Sequence, residues 1–179
     1  VADFNRDGAM DFFLSGGEQG RNFLLLNKGD GSLQADSRSA ALLARVSRWG
    51  SGVLDYDRDG DLDLYLLGEK DGGSLWENAG DGSFAFAGRL TGFAAGGGSA
   101  AADLNGDGRV DILCLDSFGN PQVWQNETGN SSHWVAVQLE GLRSNKLGLG
   151  AKVEIRAGAL YQKFEVQGHG RHLSQDSQM

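Results

Sequence analysis

The stretch DYDRDGDLDLYLLG, residues 55–68, places five aspartates in nine positions and continues directly into an apolar segment. From Leu62 onward the side chains alternate with a period of two, which predicts a β-strand. The two faces of this strand carry Leu62, Leu64 and Leu66, and Asp63, Tyr65 and Leu67. Because both faces include large apolar groups, we expect the strand to be covered on both sides.

The same pattern occurs three times, as DFNRDGAMDFFL from Asp3, DYDRDGDLDLYL from Asp55 and DLNGDGRVDILC from Asp103. Successive copies start 52 and 48 residues apart (55 − 3 and 103 − 55). An asparagine follows the first Asp of the copies at offsets of 24, 23 and 23 residues, as Asn27, Asn78 and Asn126. Each copy predicts a strand, an acidic loop, a strand, a turn, a strand, a Gly-Asp-Gly turn and a final strand. A four-stranded unit of this length with two buried faces is typical of a propeller blade.

We therefore predict an all-β fold: a partial β-propeller of about three four-stranded blades, followed by a small C-terminal antiparallel β unit. The composition agrees, because 29 glycines beside one proline favour many tight turns and short strands. The C-terminal unit is predicted from alternation with polar neighbours at Val135, Val137 and Leu139, and again at Val153 and Ile155.

The acidic loops share the motif D-x-[DN]-x-D-G-x-x-D. Side chains at positions 1, 3, 5 and 9, together with the carbonyl at position 7, form an oxygen cage, and Gly at position 6 permits the sharp turn. A hard cation that takes six to eight oxygens at about 2.3–2.6 Å suits this cage, which favours Ca²⁺ over Mg²⁺ or a thiophilic metal. In a metal-free alternative the same residues stabilise Asp-Gly turns, although such turns need only one or two of them.

An EF-hand shares the first six positions of this motif but requires a bidentate Glu at position 12 between two helices. Position 12 is Leu14, Leu66 and Cys114 in the three copies, and the flanking segments have strand periodicity. The sequence therefore excludes an EF-hand sensor.

Charge separates the chain into an acidic part and a weakly basic part. Residues 1–131 carry 20 acidic and 10 basic groups, whereas residues 132–179 carry 4 and 6. The acidic part would repel phosphate backbones, so we expect no nucleic-acid partner. The whole chain has a net charge of -8, which three Ca²⁺ would change to about -2.

Residues 55–63 hold four ligand carboxylates where the other loops hold three and an Asn, so we predict that this loop binds most tightly.

The motif, its period and the following strand resemble the FG-GAP or VCBS repeats of integrin α-like β-propellers, in which the acidic loop holds structural calcium. The segments that carry the resemblance are GSGVLDYDRDGDLDLYL and AAADLNGDGRVDILCL. It covers residues 1 to about 127. Carried over by position, it implies three calcium sites, formed by Asp3, Asn5, Asp7, the Ala9 carbonyl and Asp11; by Asp55, Asp57, Asp59, the Asp61 carbonyl and Asp63; and by Asp103, Asn105, Asp107, the Arg109 carbonyl and Asp111.

From His133 onward, HWVAVQLEGLRSNKLGLGAKVEIRAG and EVQGHGRHLSQ are similar to the ASPIC/UnbV domain that follows such propellers in cartilage acidic protein-like proteins. The resemblance implies two domains, propeller blades over residues 1–127 and an ASPIC/UnbV-like β domain over residues 132–179. The chain begins at Val1, two residues before the first Asp of the motif, and three blades are fewer than the roughly four to eight with which a propeller normally closes. We therefore expect a fragment whose remaining blades belong to a parent protein or are replaced by a second copy.

These features together favour an extracellular or periplasmic adhesion or ligand-binding module without enzymatic activity, whose partner is a protein or a glycan. The alternative is a propeller-based enzyme acting on carbohydrate, with most of its site in missing blades. No segment has the apolar length of a membrane span.

Four further residue sets have simpler interpretations. Cys114 is expected in the core, and Trp76 and Trp124 in packing beside the repeated Asn. A zinc site at His133, His169 and His172 lacks companion ligands at suitable spacing, so exposed loop histidines are favoured. The glycine-rich segment at residues 93–103 lacks the Lys-Ser/Thr of a phosphate-binding loop.

Overall fold

The computed structural model describes residues 1–16, 21–45, 47–48, 50–69, 72–92, 95–129, 133–135, 137, 139–142, 145–158 and 160–166. Within these residues the regular structure consists of antiparallel sheets and one four-residue helix. No sheet closes on itself in the described part of the chain. The predicted all-β, partial-propeller class is confirmed at this level.

The first repeat forms a three-stranded sheet in the order β1-β2-β3, followed by a short helix. These elements are β1 (Phe12–Leu14), β2 (Phe23–Asn27), β3 (Leu33–Asp36) and α1 (Ala40–Leu43). Ala2 adds a single antiparallel bridge to Asp11. The predicted strand before the acidic loop is therefore represented in this repeat by one bridge.

The second repeat forms a complete four-stranded sheet in the order β4-β5-β6-β7. Its strands are β4 (Gly50–Leu54), β5 (Asp63–Glu69), β6 (Gly72–Asn78) and β7 (Phe84–Leu90). The acidic loop joins β4 to β5, and the Gly-Asp-Gly turn joins β6 to β7. Gly80 and Gly82 in this turn have φ values of 78° and 81°, a left-handed backbone that glycine adopts without steric cost. The order of the strands and both turns agree with the prediction.

The third repeat forms a sheet in the order β10-β9-β8. Its strands are β8 (Ala95–Ala102), β9 (Asp111–Asp116) and β10 (Pro121–Trp124). Ala102 pairs with Asp111 as Leu54 pairs with Asp63, so the register beside the acidic loop is conserved between the two sheets. After Asn126 the sequence ETGN replaces the Gly-Asp-Gly turn, and no fourth strand follows among the described residues.

The three sheets are stacked through two apolar clusters, one on each face of the second sheet. Leu64, Leu66 and Trp76 pack against the first sheet, where Leu24 and Phe4 belong to the same cluster. A second cluster joins the other face to the third sheet through Leu54, Tyr65, Leu67, Ala101, Ile112 and Cys114. The predicted alternation along β5, with both faces buried, is therefore confirmed. The sheets stack as successive blades, and they are called the first, second and third blade below.

The C-terminal part contains an antiparallel hairpin of β11 (Lys152–Ala157) and β12 (Leu160–Glu165), called the C-terminal hairpin below. It confirms the strand predicted around Val153 and Ile155. The alternation at Val135 and Val137 does not produce a strand in the described residues; both side chains are exposed. Alternation stabilises a strand only when one face is buried and a neighbouring edge is available. No described helix has the length and apolar character needed to cross a membrane.

Candidate metal centre

The acidic loops, named loop 1 (residues 3–11), loop 2 (55–63) and loop 3 (103–111), occupy the same place in the three blades. The Asp at position 9 of each loop is buried; Asp63 and Asp111 start β5 and β9, and Asp11 directly precedes β1. In loop 2, the Tyr56 N–H donates to Asp63 Oδ2 at 3.1 Å and the Asn78 N–H donates to Asp63 Oδ1 at 2.8 Å. The same two backbone N–H donors recur in the other loops. Phe4 and Asn27 donate to Asp11 in loop 1, and Leu104 and Asn126 donate to Asp111 in loop 3. Position 9 therefore ties position 2 of its loop to the repeated asparagine, as well as supplying a carboxylate.

In the second and third blades the repeated asparagine connects neighbouring blades, a role that the sequence did not reveal. Asn78 Nδ2 donates to the Phe4 carbonyl in the first blade at 2.8 Å and to the Leu62 carbonyl at 3.0 Å. In the third blade, Asn126 Nδ2 donates to the Tyr56 carbonyl of the second blade at 2.7 Å. Asn78 and Asn126 thus each join their own loop to position 2 of the preceding loop, whereas Asn27 donates to the Met10 carbonyl within its own blade. The regular spacing of the asparagines was the available signal, but spacing alone does not identify a bonding partner.

A left-handed backbone at two positions turns the loop amides toward the carboxylates. Position 4 has φ of 58° at both Arg6 and Arg58, and position 6 in loop 2 has φ of 93° at Gly60. The Gly60 N–H then donates to Asp55 Oδ2 at 3.1 Å, and the Asp61 N–H donates to Asp59 Oδ1 at 2.8 Å. Glycine at position 6 is needed because a side chain is strained at this φ.

Loop 2 gathers an acidic cluster of Asp55, Asp57 and Asp63, in which one carboxylate oxygen from each residue lies within 4.8 Å of the others. Asp55 Oδ1 is buried and has no hydrogen-bond partner among the residues that the structure describes. An unsatisfied buried carboxylate oxygen is costly unless a cation or a donor compensates it. The donor set contains only oxygens, so these residues fit a hard cation such as Ca²⁺.

The electrostatics of this cluster disfavour three ionised carboxylates without a cation. Burial raises the pKa of Asp63 to about 8, with the Asp57 and Asp55 charges adding to the effect against two backbone hydrogen bonds. Burial and the Asp59 charge raise the pKa of Asp55 to about 6. Burial and the Asp59 charge also raise the pKa of Asp57.

Loops 1 and 3 close in a different way because position 3 is Asn. In loop 1, Asn5 Nδ2 donates to Asp7 Oδ2 at 2.9 Å, and Asp3 accepts the Asp7 and Gly8 N–H groups. Loop 3 has the same network through Asn105 and Asp107, and the Arg109 side chain adds an ion pair to Asp107 at 2.7 Å. The carboxylate of Asp57 in loop 2 has no N–H to donate, so it leaves this link unmade.

The structure places every predicted ligand in its loop, but a cluster of three carboxylates forms only in loop 2 among the described residues. Asp59 lies outside the cluster and bonds the loop backbone. Asp61 was predicted to act through its carbonyl. Its side chain is nevertheless engaged, with Asp61 Oδ1 lying 2.9 Å from Arg6 Nη1 of loop 1. This contact joins the first and second blades, and neither motif nor spacing indicated it.

The remaining candidates from the sequence have structural positions where they are described. Cys114 is buried, and burial raises the pKa of its thiol to about 11, as expected for an unreactive core cysteine. Trp76 is fully buried and Trp124 packs on the second cluster. His133 is exposed. His169 and His172 lie outside the described residues.

Stacked antiparallel blades with equivalent acidic loops define a protein of the β-propeller type. The model of the FG-GAP-like repeat family matches residues 3–66 and again residues 55–114. Together these matches span more than half of the chain, which therefore belongs to the FG-GAP-like repeat family. No curated protein matches the chain.

Proposed function

We propose that the chain is a calcium-binding propeller module in which loop 2 is the principal site. Asp55, Asp57 and Asp63 would hold the ion, with Asp59 and the Asp61 carbonyl completing the set. The bound ion would supply positive charge that offsets repulsion between the carboxylates and would thereby stiffen the second blade. The observation that carries this proposal is the buried Asp55 Oδ1, which has no hydrogen-bond partner in the described part of the chain and lies inside a cluster of acidic oxygens.

Loops 1 and 3 are proposed as weaker sites, which brings the total to about three calcium ions. Their donor sets follow the same motif: Asp3, Asn5, Asp7, the Ala9 carbonyl and Asp11, and Asp103, Asn105, Asp107, the Arg109 carbonyl and Asp111. Calcium would have to displace the Asn5–Asp7 hydrogen bond in loop 1 and its counterpart in loop 3. That competition lowers affinity relative to loop 2.

The wider role that we propose is adhesion or ligand binding outside the cytoplasm, where calcium reaches about 10⁻⁴–10⁻³ M. The partner would be a protein or a glycan, and the chain would act without catalysis. Its C-terminal part would correspond to an ASPIC/UnbV domain, as in cartilage acidic protein-like proteins. In support, the carboxyl groups with raised pKa among the described residues all lie in the acidic loops: Asp3, Asp11, Asp55, Asp57, Asp61 and Asp63.

The two outer blades each present an apolar face that supports a further partner blade. On the first blade Leu14 and Phe23 are about half exposed, and on the third blade Leu115 and Val123 are 40% and 54% exposed. Leu115 occupies the register place of Leu67, which is fully buried in the second blade. We propose that further blades of a parent protein or of a second copy cover these faces.

Thermal unfolding with and without calcium tests the principal site. We expect millimolar Ca²⁺ to raise the melting temperature of the metal-depleted protein, because an ion that binds only the folded state stabilises it. Asp55→Asn should abolish most of this increase and weaken calcium binding in a calorimetric titration by about tenfold or more. Glu140→Gln, which removes one exposed charge elsewhere, is the control. An unchanged calcium response in Asp55→Asn would refute loop 2 as the principal site.

A further inference from the structure

The C-terminal hairpin lies on the acidic loops of the first two blades. Gln162 Nε2 donates to the Gly60 carbonyl of loop 2 at 2.5 Å, and Lys163 Nζ donates to the Gly8 carbonyl of loop 1 at 2.6 Å. Both acceptors are position 6 of the motif, and both donors belong to β12. Two adjacent side chains of one strand therefore engage equivalent points of two neighbouring loops.

Packing at the same glycines leaves little room for a Cβ atom. A Cβ atom on Gly60 would lie 2.5 Å from Leu160 Cδ1, and a Cβ atom on Gly8 would lie 3.1 Å from Tyr161 Oη. In loop 3, a Cβ atom on Gly108 would lie 2.0 Å from Trp134 Nε1. The C-terminal part thus touches position 6 of all three loops, which gives a second reason for glycine there besides its positive φ.

Peptide groups connect the hairpin directly to the acidic side chains of loop 2. The peptide between residues 60 and 61 accepts from Gln162 through its carbonyl and donates to Asp59 Oδ1 through the Asp61 N–H. The preceding peptide donates to Asp55 Oδ2 through the Gly60 N–H. A movement of the Gly60 backbone would therefore disturb the hairpin contact and the position of Asp55 together.

We propose that docking of the C-terminal hairpin and cation binding by loop 2 are thermodynamically coupled, each favouring the other. A cation held by Asp55, Asp57 and Asp63 fixes the loop that presents the Gly60 carbonyl. A docked hairpin, in turn, orders the same peptides before the cation arrives, so less conformational entropy is lost on binding. Linkage requires that the free energy by which hairpin docking strengthens cation binding equals the free energy by which the cation strengthens docking. This inference rests on the proposed calcium function of loop 2.

Loop 1 is expected to take little part in this coupling. The hydrogen bond that loop 1 accepts from the hairpin comes from the Lys163 ammonium, which places a positive charge on the loop backbone next to Asp7. Asn5 already closes the loop through Asp7. Loop 2 receives the uncharged amide of Gln162 instead, so the hairpin adds no cation where the acidic cluster lies.

The test uses Gln162→Met, which keeps the length of the side chain but removes the amide donor. The matched control is Gln122→Met, the same change in β10 of the third blade. Calcium affinity is measured by calorimetric titration, and hydrogen–deuterium exchange follows the amides of residues 152–165 with calcium and after metal depletion. In the wild type we expect calcium to slow exchange in the hairpin. Gln162→Met should weaken calcium binding by about twofold to tenfold, as expected for one hydrogen bond, and reduce that protection, whereas the control should do neither.

The outcomes separate the two hypotheses. If the wild-type protein binds no calcium, the proposed function itself fails. If calcium binds and Asp55→Asn abolishes binding, but hairpin exchange is independent of calcium and Gln162→Met binds as the control does, the coupling alone is overturned. Leu160→Ala, which removes the packing against Gly60, should shift affinity in the same direction as Gln162→Met; an unchanged affinity in both variants also contradicts the coupling.

Discussion

At the level of single residues, the loops differ at position 3, where loops 1 and 3 have the amide nitrogen of an Asn and loop 2 has the second carboxylate oxygen of an Asp. The Asn5 amide donates to Asp7 in loop 1, whereas the Asp57 carboxylate at the same position of loop 2 joins an acidic cluster. An amide closes the loop by itself, and a carboxylate leaves the closure to a cation. The two residues that the motif allows at this position therefore give two kinds of loop, one closed by its own hydrogen bond and one with an excess of negative charge.

Exchanging these two residues should exchange the properties of the loops. We expect Asp57→Asn to raise the melting temperature of the metal-depleted protein by a few degrees, because it removes one repelling carboxylate, and to weaken calcium binding by about tenfold or more. Asn5→Asp should lower the metal-depleted melting temperature and increase the stabilisation by calcium. Differential scanning fluorimetry over a calcium series measures both.

Loop 3 supplies the control for this exchange. Arg109 Nη2 already lies 2.7 Å from Asp107 Oδ2, so Asn105→Asp should gain less calcium stabilisation than Asn5→Asp. Equal gains in the two loops would show that Arg109 does not compete with calcium. Asp57→Asn that binds calcium as tightly as the wild type would show that position 3 does not determine affinity.

At the level of the blades, stability depends on polar links as well as on apolar stacking. Asn78 is 1% exposed and bonds two carbonyls, one of them in the neighbouring blade. Its Oδ1 also accepts the N–H groups of Gly80 and Gly82. One side chain therefore satisfies the Gly-Asp-Gly turn, the end of loop 2 and the adjacent blade.

Removing this side chain should be strongly destabilising. We expect Asn78→Ala to lower the free energy of unfolding by about 2–4 kcal/mol, because buried polar groups of the backbone lose their partners. Chemical denaturation measures the change. The matched control is Asn27→Ala, since Asn27 occupies the same position in the first blade and donates to Met10 within that blade. A loss for Asn27→Ala as large as that for Asn78→Ala would argue against the inter-blade bond as the cause.

The sequence predicted the strands and loops better than the contacts between residues that are far apart in the chain. The alternation at Leu64 and Tyr65 reports burial on two faces, and the structure confirms it because period-two patterns are local. The bond from Gln162 to Gly60 spans 102 residues of sequence and has no local pattern. Similarly, the alternation at Val135 predicted a strand, but alternation does not show whether a neighbouring edge is available for pairing.

At the level of the whole molecule, the acidic loops make stability depend on pH when metal is removed. The folded-state pKa values of Asp55 and Asp63 are raised to about 6 and about 8, whereas an unfolded Asp titrates near pH 3.9. Between these values the folded state binds more protons than the unfolded state, so these groups lose their stabilising contribution as pH rises from about 4 to about 8. Calcium requires the ionised carboxylates and opposes this trend.

We therefore expect the melting temperature of the metal-depleted wild type to fall by several degrees between pH 5.5 and pH 8.5, as measured in chelating-resin-treated buffers of constant ionic strength. Saturating calcium should reduce or reverse the fall, because the ion replaces the protons that the cluster loses. Asp55→Asn lacks one of the carboxyl groups with a raised pKa. Its melting temperature should therefore depend less steeply on pH without metal and respond little to calcium. Glu140→Gln should follow the wild type. A metal-depleted wild type whose melting temperature rises steadily over this range would mean that the cluster is not under electrostatic stress, and the physical reason for a cation in loop 2 would be lost.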